Sequence, residues 1–108
     1  MVLTGNKVQE LFDKAKANKF AIPAVNVIGS NSINATLETA AKLNSPVIIQ
    51  FSNGGAIFNA GKSLSNENQI AAIKGAVSGA KHVRELSDVW NNRYLTYGSC
   101  FQKIIAMD

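Results

Sequence analysis

The chain has 108 residues, 46% hydrophobic and 17% charged, which is the composition of one small folded domain and excludes general disorder. Its net charge is +4, but the basic residues are scattered and form no stripe with aromatic residues, which argues against a nucleic-acid surface. A single cysteine excludes an internal disulfide framework, and no apolar run reaches the roughly 20 residues of a membrane span. We therefore expect a cytoplasmic protein with neither a nucleic-acid nor a membrane partner.

The first two predicted elements are a helix and a short strand. In TGNKVQELFDKAKANKF, apolar residues recur at the i, i+3, i+4 and i+7 spacing of one helix face. These residues are Val8, Leu11, Phe12 and Ala15. The following run, FAIPAVNV at residues 20–27, predicts a strand in which Pro23 fits only near the start or where no N–H is needed.

A second helix and a second strand follow. GSNSINATLETAAKLN predicts a helix capped by Ser30 or Asn31, with a buried face formed by Ile33, Leu37, Ala40 and Ala41. SPVIIQFS at residues 45–52 is the clearest strand, since its continuous Val-Ile-Ile run suits a parallel strand buried on both faces.

The remaining regular pattern predicts a loop and a third helix. NGGAIFNAGKSLSNEN, rich in Gly and Asn, is predicted to be a loop. NQIAAIKGAVSGAKHVREL predicts a helix whose packed face contains Ile70, Ile73, Ala76, Val77 and Ala80. The order of elements indicates a right-handed βαβ unit, and hence an α/β fold with two parallel strands covered by helices.

The pattern changes after Ser87. Residues 89–108, VWNNRYLTYGSCFQKIIAMD, hold the single Trp, the single Cys and both Tyr, with no clear period. An α/β chain should continue with a third apolar strand after Leu86, and none is predicted there.

Polar side chains end both predicted strands. Asn26 ends the first strand, while Gln50 and Ser52 end the second and precede the Asn53-Gly54-Gly55 turn. Because the carboxyl ends of parallel strands face the ligand crevice in α/β folds, these side chains predict one shared site. Ordinary strand-end capping explains the same residues equally well, and both interpretations stay open.

No set of residues in the sequence forms a catalytic or metal-binding motif. One residue too many separates Gly55 from Gly61 for a nucleotide-binding P-loop. His82 has no second histidine with which to bind a metal, and Cys100 has no neighbouring base. Carboxylates are not paired for acid–base chemistry either, so we predict neither catalytic residues nor metal ligands.

Three segments together resemble the N-terminal part of the class II, metal-dependent fructose-bisphosphate aldolases. They are PAVN, SINATLETAAK and PVIIQFSNGGA..AGK, and the resemblance extends from about Val2 to Leu86. It implies the N-terminal portion of a (β/α)₈ (TIM) barrel at residues 1–86. It also implies a zinc-dependent lyase that reversibly cleaves fructose 1,6-bisphosphate to dihydroxyacetone phosphate and glyceraldehyde 3-phosphate, with tagatose bisphosphate as an open alternative.

The resemblance assigns few functional residues to this chain. It implies that Ser52 contacts the substrate's phosphate-bearing part and that Asn26 and Gln50 line the substrate site. A phosphorylated sugar and zinc belong to the family, whose members are homodimers. Since the family's catalytic aspartate and metal ligands are missing here, we expect this chain to bind no zinc and to be inactive alone.

The missing motif suggests an origin for residues 87–108. The family's third strand carries HTDH, which supplies the catalytic aspartate and a zinc-binding histidine. Back-translation of residues 89–108 with permitted synonymous codons, read one base later, gives YGITVILHTDHASKKLLPW, which resembles that strand and metal loop. We hypothesise a frameshift near Ser87 and Asp88 that produced an out-of-frame tail and an early stop; a divergent C-terminal end is the alternative.

Two functions without catalysis stay open as well. The strand PVIIQFS could pair with another chain as an interaction module. Alternatively, Ser52 and the Gly54-Gly55 turn could form a small phosphate-binding domain.

Overall fold

The computed structural model describes residues 1–93 and 104–107 of the chain, with side chains through Trp90. A 3₁₀ turn at Glu67–Gln69 precedes the last helix. The helices and strands are α1 (Asn6–Ala17), β1 (Ala24–Asn26), α2 (Ser30–Leu43), β2 (Val47–Gln50), α3 (Asn53–Ala60), α4 (Ile70–Arg93) and β3 (Ile104–Met107).

The strands form one parallel sheet in the order β1-β2-β3. The parallel pairing of β1 with β2 confirms the predicted pair, and Pro23 lies just before β1 begins. β3, which falls within the segment described as a tail, was not predicted. Because β2 is the central strand, its two edges are already paired, and the idea that PVIIQFS offers a free edge to another chain is wrong.

The main core lies between the sheet and helices α2 and α4. Its members are 0–4% exposed, and they are Val27, Ile33, Leu37, Val47, Ile49 and Val83. Ile33, Leu37 and Ala41 are buried as the α2 pattern predicted, with Ala40 half-buried. On the opposite face of β2, Ile48 packs against a second cluster around Leu3 and Leu11, so β2 has apolar contacts on both faces.

α1 only partly follows its predicted pattern. Leu11 and Ala15 are buried and Val8 packs against the Leu3–Leu11 cluster, but Phe12 is 40% exposed.

The segment predicted to be a Gly/Asn loop contains a helix, α3. Ser52 caps its N-terminus by accepting a hydrogen bond from the Gly55 N–H, at 3.0 Å, and Gly61 ends it with a φ of 120°. The low helix propensity of the Gly-Gly pair indicated a loop. In the folded chain the serine at the N-terminus and the glycine at the C-terminus of α3 stabilise the helix by more than the Gly-Gly pair destabilises it.

α4 packs through a different face from the one predicted. Ile70, Ile73 and Val77 are about half exposed, while all the buried residues except Ala72 follow an i, i+4 spacing. These are Ala71, Gly75, Gly79, Val83 and Ser87. Small residues form this face because α3 and α4 approach each other closely. A Cβ on Gly75 would lie 1.8 Å from the Ala56 carbonyl oxygen.

Candidate functional site

Asn26 and Gln50 meet at the carboxyl ends of their strands. They are paired in the register of β1 and β2, and the Gln50 Nε2 donates a hydrogen bond to the Asn26 Oδ1 at 2.7 Å. Because side chains alternate along a strand and Ile49 belongs to the helix-facing core, Gln50 lies on the opposite face. In a closed barrel that face is the interior.

Ser52 lies two residues beyond β2, at the start of α3. Its Oγ accepts the Gly55 N–H, and its carbonyl oxygen accepts the Ala56 N–H at 2.8 Å. The side chain therefore caps a helix that the sequence did not predict. A serine hydroxyl that accepts one hydrogen bond can still donate its own proton to a ligand.

Gly55 brings the start of α3 against the segment that follows β1. A Cβ at this position would lie 3.1 Å from both the Val27 carbonyl oxygen and the Ser52 Oγ. Gly54 differs, since no atom lies within 4 Å of the place where its Cβ would be. The first turn of α3 is therefore packed on one side and open on the other.

A second residue set, which the sequence did not predict, holds the first residue of α3. Asn53 Nδ2 donates to the Gln69 Oε1 at 3.1 Å, and Asn66 Nδ2 lies 3.4 Å from the same oxygen. Asn68 and Gln69 have φ values of 53° and 62°, a left-handed conformation that is uncommon for residues with a Cβ. The contact joins residues far apart in sequence, and no motif or spacing signalled it.

Within the part of the chain whose side chains are described, no three His, Cys, Asp or Glu residues come together to hold a metal ion. His82 Nε2 instead lies 2.7 Å from the Asn34 Oδ1 and links α4 to α2. The described residues thus do not fit a zinc site. Cys100 lies outside them.

None of the helices in the described ranges is long and apolar enough to span a bilayer.

Comparison with known proteins decides the family. The family model described as "Fructose-bisphosphate aldolase class-II" matches residues 6–93. The chain belongs to this family. The resemblance noted in the sequence is thereby confirmed.

Individual relatives agree with this assignment. The Fructose-bisphosphate aldolase class 2 of Escherichia coli (strain K12) is 58% identical over 88 residues, which are 81% of this chain and 24% of the relative. The Fructose-bisphosphate aldolase of Edwardsiella ictaluri (strain 93-146) is 54% identical over 89 residues, which are 82% and 25% of the two chains. The chain therefore spans about a quarter of the length of the curated relatives it matches.

A solved aldolase has the same fold over almost the whole chain. The crystal structure of the Campylobacter jejuni enzyme aligns with a TM-score of 0.81 and 48% identity, covering 97% of this chain and 27% of that one. The predicted fold class, an N-terminal portion of a (β/α)₈ barrel with parallel strands and covering helices, is confirmed.

Proposed function

We propose that residues 1–86 form the opening quarter of a class II fructose-bisphosphate aldolase barrel and supply part of its sugar-phosphate site. The observation that carries this proposal is the Gln50–Asn26 hydrogen bond at the carboxyl ends of adjacent strands. Active sites of (β/α)₈ barrels lie at that end of the strands. A cytoplasmic location is part of the same proposal.

The Asn26–Gln50 pair is suited to binding sugar hydroxyl groups. One Gln50 Nε2 hydrogen is directed to the Asn26 Oδ1. The Asn26 amide hydrogens and the Gln50 Oε1 then provide donors and an acceptor for a polyol. Each amide also holds the other in place, so the pair loses little side-chain freedom when a substrate binds.

Ser52 and the start of α3 are suited to a phosphate group. The Ser52 Oγ already accepts the Gly55 N–H, so its hydroxyl proton is the natural donor to a phosphate oxygen. The first N–H groups of a helix lack intrahelical partners and attract anions. The open space beside Gly54 leaves room for one.

Zinc supplies Lewis-acid polarisation of the ketone in the family's reaction. Because the described residues do not fit a zinc site, we derive no step through zinc in this chain. Its residues bind the phosphate and hydroxyl groups, and we expect the 108-residue chain alone to cleave no fructose 1,6-bisphosphate.

A chimera tests the substrate-binding role. Residues 1–86 replace the matching quarter of the Escherichia coli class 2 aldolase, and steady-state kinetics are measured with zinc and fructose 1,6-bisphosphate. The chimera should be active, and Ser52→Ala should lower kcat/KM by about 10- to 100-fold, since a hydrogen bond to a charged group contributes about 1.5–3 kcal/mol.

Ser78→Ala is the matched control, because Ser78 is an exposed serine on α4. Equal kinetics for the two serine variants, or an inactive but folded chimera, would contradict the proposal.

We further propose that residues 87–108 arose by a frameshift, because permitted synonymous codons for residues 89–108 encode HTDH when they are read one base later. Sequencing the gene across these codons tests this origin. Codons that do not encode HTDH in the shifted frame would exclude it.

A further inference from the structure

Asn53 and Gly54 form the single Asn-Gly pair of the sequence, and they are the first two residues of α3. Asparagine deamidates most readily before glycine, because glycine has no Cβ to shield its backbone nitrogen. Both residues are exposed in this structure. Apart from neighbours in the chain, no atom lies within 4 Å of the place where a Cβ on Gly54 would be, so water has access to the pair.

The Gly54 N–H is one of the first N–H groups of α3, which have no intrahelical acceptor. Ser52 accepts the two that follow it, from Gly55 at 3.0 Å and from Ala56 at 2.8 Å. Attack by the Gly54 nitrogen on the Asn53 side chain requires rotation about the Asn53 Cα–C bond, which lies between Ser52 and Gly55. Deamidation therefore occurs when the first turn of α3 opens, and contacts that hold this turn slow the reaction.

Gln69 holds the Asn53 side chain from outside the helix. The Asn53 Nδ2, which is the atom that leaves during deamidation, donates to the Gln69 Oε1 at 3.1 Å. Asn66 Nδ2 lies 3.4 Å from the same oxygen, so a second amide group positions the acceptor. This contact keeps the Asn53 amide in one orientation while the first turn is closed.

We propose that Asn53 is a deamidation site and that the Gln69 side chain restrains the reaction. The Gly54 nitrogen bonds to the Asn53 Cγ, the Cγ–Nδ2 bond breaks, and Nδ2 leaves as ammonia after the proton of the Gly54 N–H has passed to it through solvent. Water then adds to either carbonyl carbon of the succinimide and opens the ring to aspartate or isoaspartate.

The product has a negative charge next to Ser52. A carboxylate at residue 53 is attracted to the free N–H groups of the first turn and repels a phosphate group. Isoaspartate also lengthens the backbone by one carbon atom, which displaces Gly55 from Ser52. Deamidation should therefore abolish phosphate binding, a consequence that rests on the function proposed above for Ser52.

Peptide mass spectrometry tests the site in the full chain. The folded chain is incubated at mildly alkaline pH and cleaved with trypsin, which releases residues 43–62 as one peptide. We expect the mass increase of an amide converted to an acid at Asn53, whereas Asn44 and Asn59 of the same peptide, which no glycine follows, should stay intact. Gly54→Ala should remove the conversion, since open space accommodates the new Cβ.

Two glycine substitutions test the restraint. Gln69→Gly removes the acceptor at a residue whose φ of 62° glycine adopts readily. It should speed the conversion about two- to fivefold, the factor expected for loss of one exposed, neutral hydrogen bond. Asn68→Gly is the matched control and should leave the rate unchanged, because Asn68 has a φ of 53° and takes no part in the hydrogen bond to Asn53.

Urea and circular dichroism separate the restraint from general unfolding. In urea the parent chain and Gln69→Gly should convert at one common rate, which is faster than that of the folded parent. Should Gln69→Gly lose its far-UV circular dichroism, Gln69→Asn takes its place, since asparagine also tolerates a positive φ and its side chain is one methylene shorter.

Three results would overturn the proposal. They are an intact Asn53 in the folded chain, equal rates for the Gln69 and Asn68 variants, and equal rates for the parent chain with and without urea.

The consequence for phosphate is measured separately, as the thermal midpoints of the parent chain and of Asn53→Asp with inorganic phosphate. Phosphate should stabilise only the parent chain. Stabilisation of both chains would contradict the consequence. Stabilisation of neither would contradict the role proposed for Ser52, while the mass measurement would still decide the deamidation.

Discussion

The two faces of β2 have different surroundings, although successive residues of the strand point to one face and then the other. Val47 and Ile49 face the helices and are 4% and 1% exposed, whereas Ile48 and Gln50 on the other face are only partly buried. The helix-facing side is completed by residues of this chain. The other side carries the polar groups and is covered by few of the described residues. Stability and the proposed substrate binding thus belong to opposite faces of one strand.

The strongest test of this difference is a pair of neighbouring substitutions. Ile49→Ala should lower the free energy of unfolding by about 4 kcal/mol, because it leaves a cavity in the completed core. Ile48→Ala should cost about 1 kcal/mol in the 108-residue chain but about 3 kcal/mol in the chimera, where a closed barrel buries it. Urea unfolding measures both, and equal losses in the short chain would remove the distinction between the faces.

The close contact of α3 with α4 provides the next test, on the helix layer. Gly75→Ala should destabilise the chimera by about 2–3 kcal/mol, because the new Cβ meets a backbone carbonyl that cannot rotate away. Gly54→Ala is the control, since open space surrounds that position. A Gly75 variant as stable as the Gly54 variant would mean that the helices can separate without cost.

The smallest expected effect concerns the open side of the sheet. Inorganic phosphate at ten times its dissociation constant should stabilise the chain by about 1.4 kcal/mol, seen as a higher thermal midpoint. Ser52→Ala should abolish the increase and Ser78→Ala should retain it. A similar increase with chloride at equal ionic strength would indicate a salt effect instead of a site.

The sequence predicted the elements whose patterns reflect burial alone. Val47 to Ile49 and the Ile33–Leu37–Ala41 face of α2 are examples, since apolar spacing there coincides with the core. The packed face of α4 was predicted wrongly, because it packs closely through Gly75 and Gly79, which have no side chains. A pattern of apolar residues does not identify a face that packs through glycine. α3 was not predicted, because the Gly-Gly pair was interpreted as a turn and Ser52 was therefore not recognised as the N-cap of a helix.

Part of the candidate site follows from the sequence. Asn26, Gln50 and Ser52 were predicted from their positions at strand ends, and the structure joins the first two by a hydrogen bond; their substrate-binding role stays a prediction. Gln69 was not found, because its contact with Asn53 depends on a left-handed backbone turn. Residue types alone do not determine such a turn.

The direct pairing of Asn26 with Gln50 has a consequence for how β1 aligns. A shift of β1 by one residue would exchange its two faces, placing Asn26 against aliphatic side chains and separating the amides. Misaligned chains would lose this hydrogen bond and bury an unsatisfied amide, at a cost of about 1–3 kcal/mol. The same two side chains that we assign to sugar recognition thereby also select the correct strand alignment during folding.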